Sequence, residues 1–324
     1  MIVPEYWAEA RIQIKHQGRS ITVRRFGWSD ESQEAAQAHA QARAEEALEI
    51  IKAGADATRR EPKVPYNGAE GVPIREEVIA RYGDMVITRN SYGAWCINTP
   101  DVLFVDVDDD QIGDDAGCWI FLALIVLSIY LGVRNESWKI GLLCVFASFP
   151  LTGVLSNIVS RMKQFFQGNL ETRYFKRLEQ FVANRPDWNI RVYRTPNGYR
   201  LLVTHRTFQT TDPEVLECFM LLSADPTYEA MCINQQCFRA RVTPKPWRVG
   251  ITQHIYPRRG VWPVAPEYAE ARQQWIAEYN LACQDFASCE YLMEIGSGKI
   301  DRKVDVVIQF HDKLSKATSG LPIA

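Results

Sequence analysis

Hydrophobic and polar positions divide the chain into one long apolar region and flanking segments with alternating or helical patterns. Residues 118–133 and 140–160 contain no charged side chain, and only the short connection Arg134–Lys139 separates them. A helix needs roughly 20 apolar residues to cross a bilayer. The pattern therefore predicts a transmembrane helical hairpin over residues 118–160. The alternative is a buried helical hairpin of a soluble protein.

Basic residues at the ends of this region predict its orientation. The connection between the two runs holds only Arg134 and Lys139. Basic residues concentrate on the cytoplasmic side of membrane proteins. We therefore expect a two-pass protein of the inner (cytoplasmic) membrane with both termini in the cytoplasm. The basic residues that follow the second run are Arg161, Lys163, Arg173, Lys176 and Arg177.

The amino-terminal region shows the pattern of a small β-β-α unit. Residues 11–28 alternate apolar and polar side chains around a Gln17–Gly18 turn, which is typical of a hairpin. Ser29 or Asp30 is then expected to cap an alanine-rich helix that ends at Gly54. This unit is predicted to occupy residues 1–60.

The remaining segments predict an α+β fold with a ferredoxin-like or RRM-like antiparallel sheet. Without the hairpin, the elements follow the order β-α-β-β-α-β of that plan. The hairpin is inserted after the first core strand. The predicted α+β domain covers residues 61–117 and 161–324, and Glu267–Leu292 within it is predicted to be one helix. The core elements are strand 101–108, helix 161–188, strands 190–195 and 199–205, two helices that begin at Pro213 and Pro226, and strand 238–243.

Two acidic residues on the first core strand form a candidate metal site. Side chains alternate along a strand, so Asp106 and Asp108 share one face and lie roughly 7 Å apart. That separation suits one or two divalent cations, with Mg²⁺ or Mn²⁺ as the expected cofactor. Asp225 is the predicted third acid, and Asp312 is the second choice. The alternative is a hydrated turn at the end of the strand.

The same alternation predicts basic residues on the face that carries the acids. If that face is open, the acids hold the metal while the basic residues hold phosphate. The alternative is an exposed sheet on which acidic and basic residues only pair with one another. The segment 244–248, rich in tryptophan, proline and basic residues, offers further cationic and aromatic surface for a nucleic-acid strand. The alternative, which is the more common one, is that it packs along the edge of a domain. The predicted phosphate-binding residues are Arg200, Arg239, Arg241 and Lys245.

These residues resemble the archaeo-eukaryotic primase and primase-polymerase superfamily. Asp106-Val-Asp108 is similar to the Asp-x-Asp motif of that family. Residues 195–200 are similar to its glycine hairpin, with Arg200 where the family has histidine, and Asp225 corresponds to its later acid. The resemblance covers roughly residues 85–250 without the hairpin. It implies an RRM-like core in which Asp106, Asp108 and Asp225 are catalytic.

Composition and motifs exclude several classes of function but do not identify the function. The formal net charge of −2 gives no overall basic bias, so an anion-binding surface must be local. The eight cysteines show no zinc spacing, so we expect reduced, mostly buried thiols. No P-loop, esterase or zinc-protease motif occurs. The sequence favours metal-dependent binding of a nucleotide or nucleic acid, with nucleotidyl transfer as a candidate reaction. The alternative is a non-catalytic, membrane-tethered module that binds a protein partner.

Overall fold

The chain folds into two compact units, one of them discontinuous in sequence. The first unit comprises Met1–Asp106 with Pro186–Ala324, and the second comprises Val107–Arg185. The predicted α+β class is confirmed, with antiparallel sheets and eight α-helices among the residues described. The computed structural model describes residues 3–16, 18–54, 72–109, 116–167, 170–257 and 262–324.

The amino-terminal segment forms a hairpin followed by a helix. Strands β1 (Tyr6–His16) and β2 (Arg19–Ser29) pair antiparallel, and helix α1 (Gln33–Lys52) follows. The hydroxyl of Ser32 caps the helix by accepting a hydrogen bond from the Ala35 N–H at 3.1 Å. The expected cap at Ser29 or Asp30 is therefore wrong by a few residues, because β2 continues to Ser29.

Helix α1 packs directly on the hairpin through small residues. A Cβ atom added to Gly27 would lie 2.1 Å from the backbone nitrogen of Ala40, so only glycine fits there. Ala36 and Ala40 on the facing side of α1 are fully buried. The alanine-rich sequence of this helix is thus explained by close contact with β2.

One four-stranded antiparallel sheet has the order β3-β4-β5-β9. All five residues of β4 are buried, as are four of the five in β5, so both faces of the sheet are covered. Its strands are β3 (Glu77–Tyr82), β4 (Met85–Arg89), β5 (Trp95–Thr99) and β9 (Phe238–Arg241).

A second four-stranded sheet has the order β10-β7-β8-β6. The β7–β8 hairpin is the one predicted at Pro196–Gly198, and Thr195 pairs with Gly198 at its turn. The hydrogen bond from the Val203 N–H to the Leu103 carbonyl joins β8 to the start of β6 at 3.0 Å. The strands are β6 (Phe104–Asp108), β7 (Asn189–Thr195), β8 (Gly198–Val203) and β10 (Glu290–Gly296).

Strand β9 is not where the RRM-like plan expects it. That plan places β9 beside β6 in a single sheet, but β9 pairs with β5 instead. The Tyr228 hydroxyl donates to the Phe104 carbonyl at 3.0 Å and accepts from the Arg239 N–H at 3.3 Å. A side chain thus bridges β6 and β9 where a backbone ladder was expected. The predicted single sheet is wrong in its last strand.

The second unit contains three helices, and the first two form a close antiparallel pair. A Cβ atom added to Gly132 would lie 3.0 Å from the Cα of Gly141, so the two backbones almost touch there. Further along the pair, the rings of Phe121 and Phe149 are 5.2 Å apart. The helices are α2 (Ala116–Arg134), α3 (Trp138–Gln167) and α4 (Leu170–Ala183).

Large apolar side chains cover the outside of this helical pair. Phe146 is 65% exposed, and Val126 and Leu143 are similarly open. Within the described residues, Trp138–Val159 is long and apolar enough to cross a membrane, and 6% of its most apolar stretch is buried. The apolar helix Trp119–Arg134 is shorter. One span is therefore supported by length and composition, and the second stays a prediction.

The carboxyl-terminal third differs most from the predicted elements. The single helix expected over Glu267–Leu292 is wrong, because α7 ends at Ala282 and residues 290–296 pair with β7 as β10. Short 3-10 turns occur at Pro246–Arg248 and Pro266–Tyr268. The helices of this part of the chain are α5 (Pro213–Leu221), α6 (Pro226–Gln235), α7 (Ala269–Ala282) and α8 (Arg302–Ser315).

Candidate functional site

Asp106 on β6 forms a two-point ion pair with Arg200 on β8. Nε of Arg200 donates to Oδ1 of Asp106 at 2.8 Å, and Nη2 donates to Oδ2 at 3.2 Å. The side chain of Arg200 is 2% exposed and that of Asp106 is 36% exposed. Burial alone would lower the pKa of Arg200, but the Asp106 carboxylate outweighs burial and raises it. The predicted proximity of these two residues is confirmed.

The face that carries this pair is covered, although the sequence predicted an open surface. Arg200, Tyr193 and Phe104 are all buried. The His311 ring of α8 lies 4.6 Å from the Tyr193 ring and 5.5 Å from the Phe104 ring. The prediction of an open face is therefore wrong. A helix from the far end of the chain packs on it, and the local alternation pattern carries no information about that contact.

Asp225, the predicted third acid, lies beside β6 but caps a helix. Its backbone N–H donates to the Asp106 carbonyl at 3.0 Å. Its Oδ1 accepts from the Thr227 N–H at 2.9 Å, which is the usual role of an aspartate before a helix. The structure thus places Asp225 next to Asp106 through the backbone while its carboxylate serves α6.

Arg239 is committed to a buried ion pair of its own. Its Nη2 donates to Oε1 and Oε2 of Glu76 at 2.8 and 2.6 Å, and both side chains are largely buried. A guanidinium held in this way has little freedom to meet a ligand. The predicted phosphate-binding role of Arg239 finds no support in this geometry.

Arg241 and Lys245 lie at an aromatic edge that follows β9. The Arg241 guanidinium is hydrogen-bonded to Tyr92, and among the described residues it forms no ion pair. The Tyr92 ring lies 5.4 Å from the ring of Trp247, which is 55% exposed. Nζ of Lys245 lies 5.5 Å from the Trp247 ring centroid. These four residues, Tyr92, Arg241, Lys245 and Trp247, are called the aromatic edge below.

The aromatic edge is linked to the Asp106–Arg200 pair through Arg241. Nη1 of Arg200 donates to the Arg241 carbonyl at 2.6 Å, which joins the Asp106–Arg200 pair to this edge. Burial alone would lower the pKa of Arg241, but Tyr92 and Asp106 raise it, so the guanidinium stays charged. Burial raises the pKa of Tyr92, so its hydroxyl stays protonated at neutral pH. Asp106 thus faces two guanidinium groups with one carboxylate.

The residues fit a divalent cation poorly. Both oxygens of Asp106 already accept hydrogen bonds from Arg200, and the Asp225 carboxylate caps α6. Asp108 is half-buried and belongs to the second compact unit. In the part of the chain that the structure describes, no three His, Cys, Asp or Glu side chains are grouped as a metal site. Mg²⁺ or Mn²⁺ at Asp106 and Asp108 stays a prediction.

Sequence analysis missed a buried polar cluster beneath α8 and named only one of its residues, Asp312. The Asp312 carboxylate accepts from Arg191 Nη2 at 2.7 Å and from the Tyr193 hydroxyl at 2.8 Å. It also contacts His311 Nδ1 at 3.0 Å, and His311 Nε2 lies 3.9 Å from Cys289 Sγ. Burial alone would lower the pKa of His311, but Cys289 and Asp312 raise it. Cys289 and His311 are fully buried, so this cluster holds α8 on the sheet.

Sequence reasoning also missed Tyr92, which reaches the site from the turn between β4 and β5. The sequence feature that marks this tyrosine is the short Ser91–Gly93 segment, in which it lies between two residues typical of turns. Trp247 lies in the 244–248 segment that was recognised as cationic and aromatic. Contact between these two segments depends on the β5–β9 pairing, which no local pattern predicts.

The three parts of the primase resemblance are close in space but serve the fold. Asp106 pairs with Arg200, the turn at Thr195–Gly198 closes a sheet hairpin, and Asp225 caps α6. Comparison of the chain with models of protein families, with curated proteins and with solved structures finds no match. The family resemblance and the catalytic roles that it implies stay predictions.

Proposed function

We propose that this chain is a membrane-anchored protein whose α+β unit binds the phosphate groups of a nucleotide or nucleic acid at the aromatic edge. The observation that carries the proposal is the Arg241 guanidinium, which is half-buried, charged and without a carboxylate of its own among the described residues. A partly desolvated cation gains most from an anionic ligand, and arginine matches phosphate geometry in particular.

The other members of the aromatic edge suit the remaining parts of such a ligand. Trp247 is exposed beside Tyr92 and offers a face on which a base stacks. Lys245 lies near the same ring and supplies a second cation. A ligand that combines an aromatic base with phosphate would contact all of these groups, whereas an inorganic anion would contact only the cations.

The membrane anchor in this proposal is the α2–α3 pair. The 22 residues Trp138–Val159 are long enough to cross a bilayer, and their apolar side chains are open instead of packed. A helix from a soluble core would be mostly buried. We propose that α2 crosses as the partner of α3, with both termini in the cytoplasm of an inner membrane, because the basic residues favour that side.

The proposed activity is binding, without turnover. Arg200 neutralises the charge of Asp106, and the Asp225 carboxylate caps α6, so both acids already have structural roles. The RRM-like arrangement of β6, β7 and β8 is part of the proposal as a scaffold for this edge.

Calorimetric titration of the purified full chain tests the proposal. ATP and a short single-stranded oligonucleotide are titrated with and without Mg²⁺, and we expect saturable binding in both conditions. Arg241→Gln should weaken the affinity about tenfold, since a charged hydrogen bond is worth roughly 1.5–3 kcal/mol. Trp247→Ala should weaken binding of ATP but leave binding of inorganic triphosphate unchanged.

The matched control is Lys299→Gln, which removes an exposed cation that pairs with Asp187. It should leave both affinities unchanged. Absence of binding, or equal binding by the wild type and Arg241→Gln, would contradict the proposal. Binding that requires Mg²⁺ and is lost in Asp106→Asn would instead favour the metal site predicted from the sequence.

A protein-interaction module is the second candidate. The exposed Trp247 ring favours it, because aromatic side chains are enriched at the centre of protein–protein interfaces. It predicts that a partner protein is captured without Mg²⁺ and without nucleotide. It also predicts that the Asp106→Asn, Asp108→Asn double variant retains the partner. Competition by ATP distinguishes the two candidates, because only a shared phosphate site would release the partner.

A further inference from the structure

An apolar cleft opens on the first unit, formed by residues other than those of the aromatic edge. It has a volume of about 490 Å³, within the range of small-molecule sites. Its walls come from the β3–β4 turn, from the Thr99–Asp101 connection that leads to β6, and from α8. Three separate segments of sequence therefore meet around one concavity.

The walls of the cleft are aromatic and aliphatic. The Tyr82 and Phe310 rings lie 4.2 Å apart on one side, and Met85 and Val307 are buried in the lining. Val306 of α8 is exposed at the lip. Such a surface favours an apolar body of about the size of one aromatic ring, because binding removes apolar area of both the body and the cleft from water.

The polar groups at the mouth of the cleft are two carboxylates and one ammonium. Nζ of Lys303 lies 2.7 Å from Asp84 Oδ2 and 2.6 Å from Asp101 Oδ2. Lys303 lowers the pKa of Asp84, so this carboxylate stays ionised at neutral pH. The three side chains therefore leave one negative charge at the mouth.

One oxygen of this group has an unused hydrogen-bonding capacity. Oδ1 of Asp101 is buried and accepts no hydrogen bond from any described residue. This oxygen is closed to solvent, so a ligand in the cleft does not contact it. The charge of the Asp101 carboxylate still adds to the negative potential at the mouth.

We propose that this cleft binds a small organic amine: an ammonium group with an aromatic or branched apolar body. The body covers Tyr82, Met85 and Phe310, and the ammonium lies at the mouth, where it pairs with the exposed Asp84 carboxylate beside Asp101. The negative charge at the mouth selects cations over anions, and the apolar walls exclude small hydrophilic cations. The site is independent of the phosphate site, so either can fail without the other.

The probe is 2-phenylethylamine, and the measurement is NMR of the full chain labelled at the methionine methyl groups. Met85 belongs to the cleft lining, whereas the other five of the six methionines lie elsewhere in the sequence and report non-specific effects. We expect the Met85 signal alone to shift in a saturable way, at millimolar probe. Phenylacetate, an anion of the same shape, should bind at least about tenfold more weakly.

Variants locate the binding in the cleft. Val306→Trp fills the lip from an exposed position and should abolish the shift. Asp84→Asn should weaken the affinity about tenfold, because it removes the exposed carboxylate that pairs with the ammonium. Asp305→Asn is the control, since Asp305 lies on the same helix and contacts Gln309 instead. Three outcomes would overturn the proposal: unchanged affinity in Val306→Trp, equal binding of phenylacetate, or no Met85 shift at about 10 mM probe. A dissociation constant of about 10 mM is the weakest affinity expected of so small a ligand.

Discussion

The α2–α3 pair and the two four-stranded sheets place charge and apolar surface in opposite environments. In the helical pair, phenylalanine, leucine and valine side chains point outward and are open. In the sheets, arginine side chains such as Arg89, Arg200 and Arg239 are buried. Each arrangement would be costly in the other environment, because water disfavours exposed apolar area and a protein interior disfavours unpaired charge. This difference is the one that the proposed membrane anchor requires, with apolar side chains turned to lipid in the helical pair and paired charges buried in the sheets.

Removing a carboxylate from the sheets should have the largest effect. Glu77 accepts from Arg89 at 3.1 Å and from Arg272 at 2.7 Å, and both guanidinium groups are buried. Glu77→Gln leaves two buried cations without their counter-charge. We expect the free energy of unfolding to fall by about 3–5 kcal/mol. A thermal unfolding midpoint roughly 10 °C lower, followed by tryptophan fluorescence, would show this.

The control for that variant is an exposed acid of the same type. Glu49 pairs with Lys52 on the surface of α1. Glu49→Gln should change the free energy of unfolding by less than about 0.5 kcal/mol, because exposed ion pairs contribute little. Equal midpoints for the two variants would show that burial of the Glu77 network does not stabilise the sheets.

Adding a charge to the helical pair should have the next largest effect. Phe146 is exposed near the middle of α3, so Phe146→Arg would be harmless if the helix faced water. In a bilayer the same change costs about 2.5–3.5 kcal/mol. We expect less protein in the membrane fraction after alkaline extraction. Trp138→Arg, at the end of the helix, should insert normally, and equal extraction of the two variants would argue against a lipid-facing surface.

Changing the shape of a buried cation without changing its charge should have a moderate effect. Arg200 makes two hydrogen bonds to Asp106 and one to the Arg241 carbonyl, and a single ammonium cannot reproduce this geometry. We expect Arg200→Lys to lower the free energy of unfolding by about 2 kcal/mol, measured by urea titration. Arg24→Lys, at an exposed pair with Glu9, is the control and should have almost no effect.

A pH-dependent effect should be the smallest. Burial lowers the pKa of His205 to about 4, below its ordinary value of 6.5, and its ring packs between Trp188 and Phe208. The unfolded chain therefore binds the proton first, and stability falls as the pH drops from about 6.5 towards 4. The full shift would give about 2 kcal/mol between pH 7.5 and pH 5. Because the ring is only partly buried and solvent screens it, we expect a loss of about 1 kcal/mol that depends on this residue.

The variant His205→Phe should remove this component of the pH dependence, as measured by unfolding midpoints at the two pH values. His254 is exposed, and His254→Gln should leave the pH dependence intact. An identical pH profile for the wild type and His205→Phe would show that His205 does not contribute.

Local patterns in the sequence determined most elements of the chain. Alternation predicted the β1–β2 and β7–β8 hairpins, and prolines after aspartates marked the starts of α5 and α6. Alternation also placed Asp106 and Arg200 on one face, where they form an ion pair. These features depend on backbone preferences and on neighbours along the chain, so they can be read locally.

Tertiary structure alone decided which strands pair and which faces are covered. Strand β9 pairs with β5, and the Tyr228 hydroxyl bridges β6 and β9. Helix α8 covers the face that alternation predicted to be open. These contacts join residues far apart in sequence, so no local pattern encodes them. The same contacts assign Asp225 to a helix cap, Arg239 to Glu76 and Arg241 to the aromatic edge. The partner of a charged side chain is set by packing, which local alternation cannot predict.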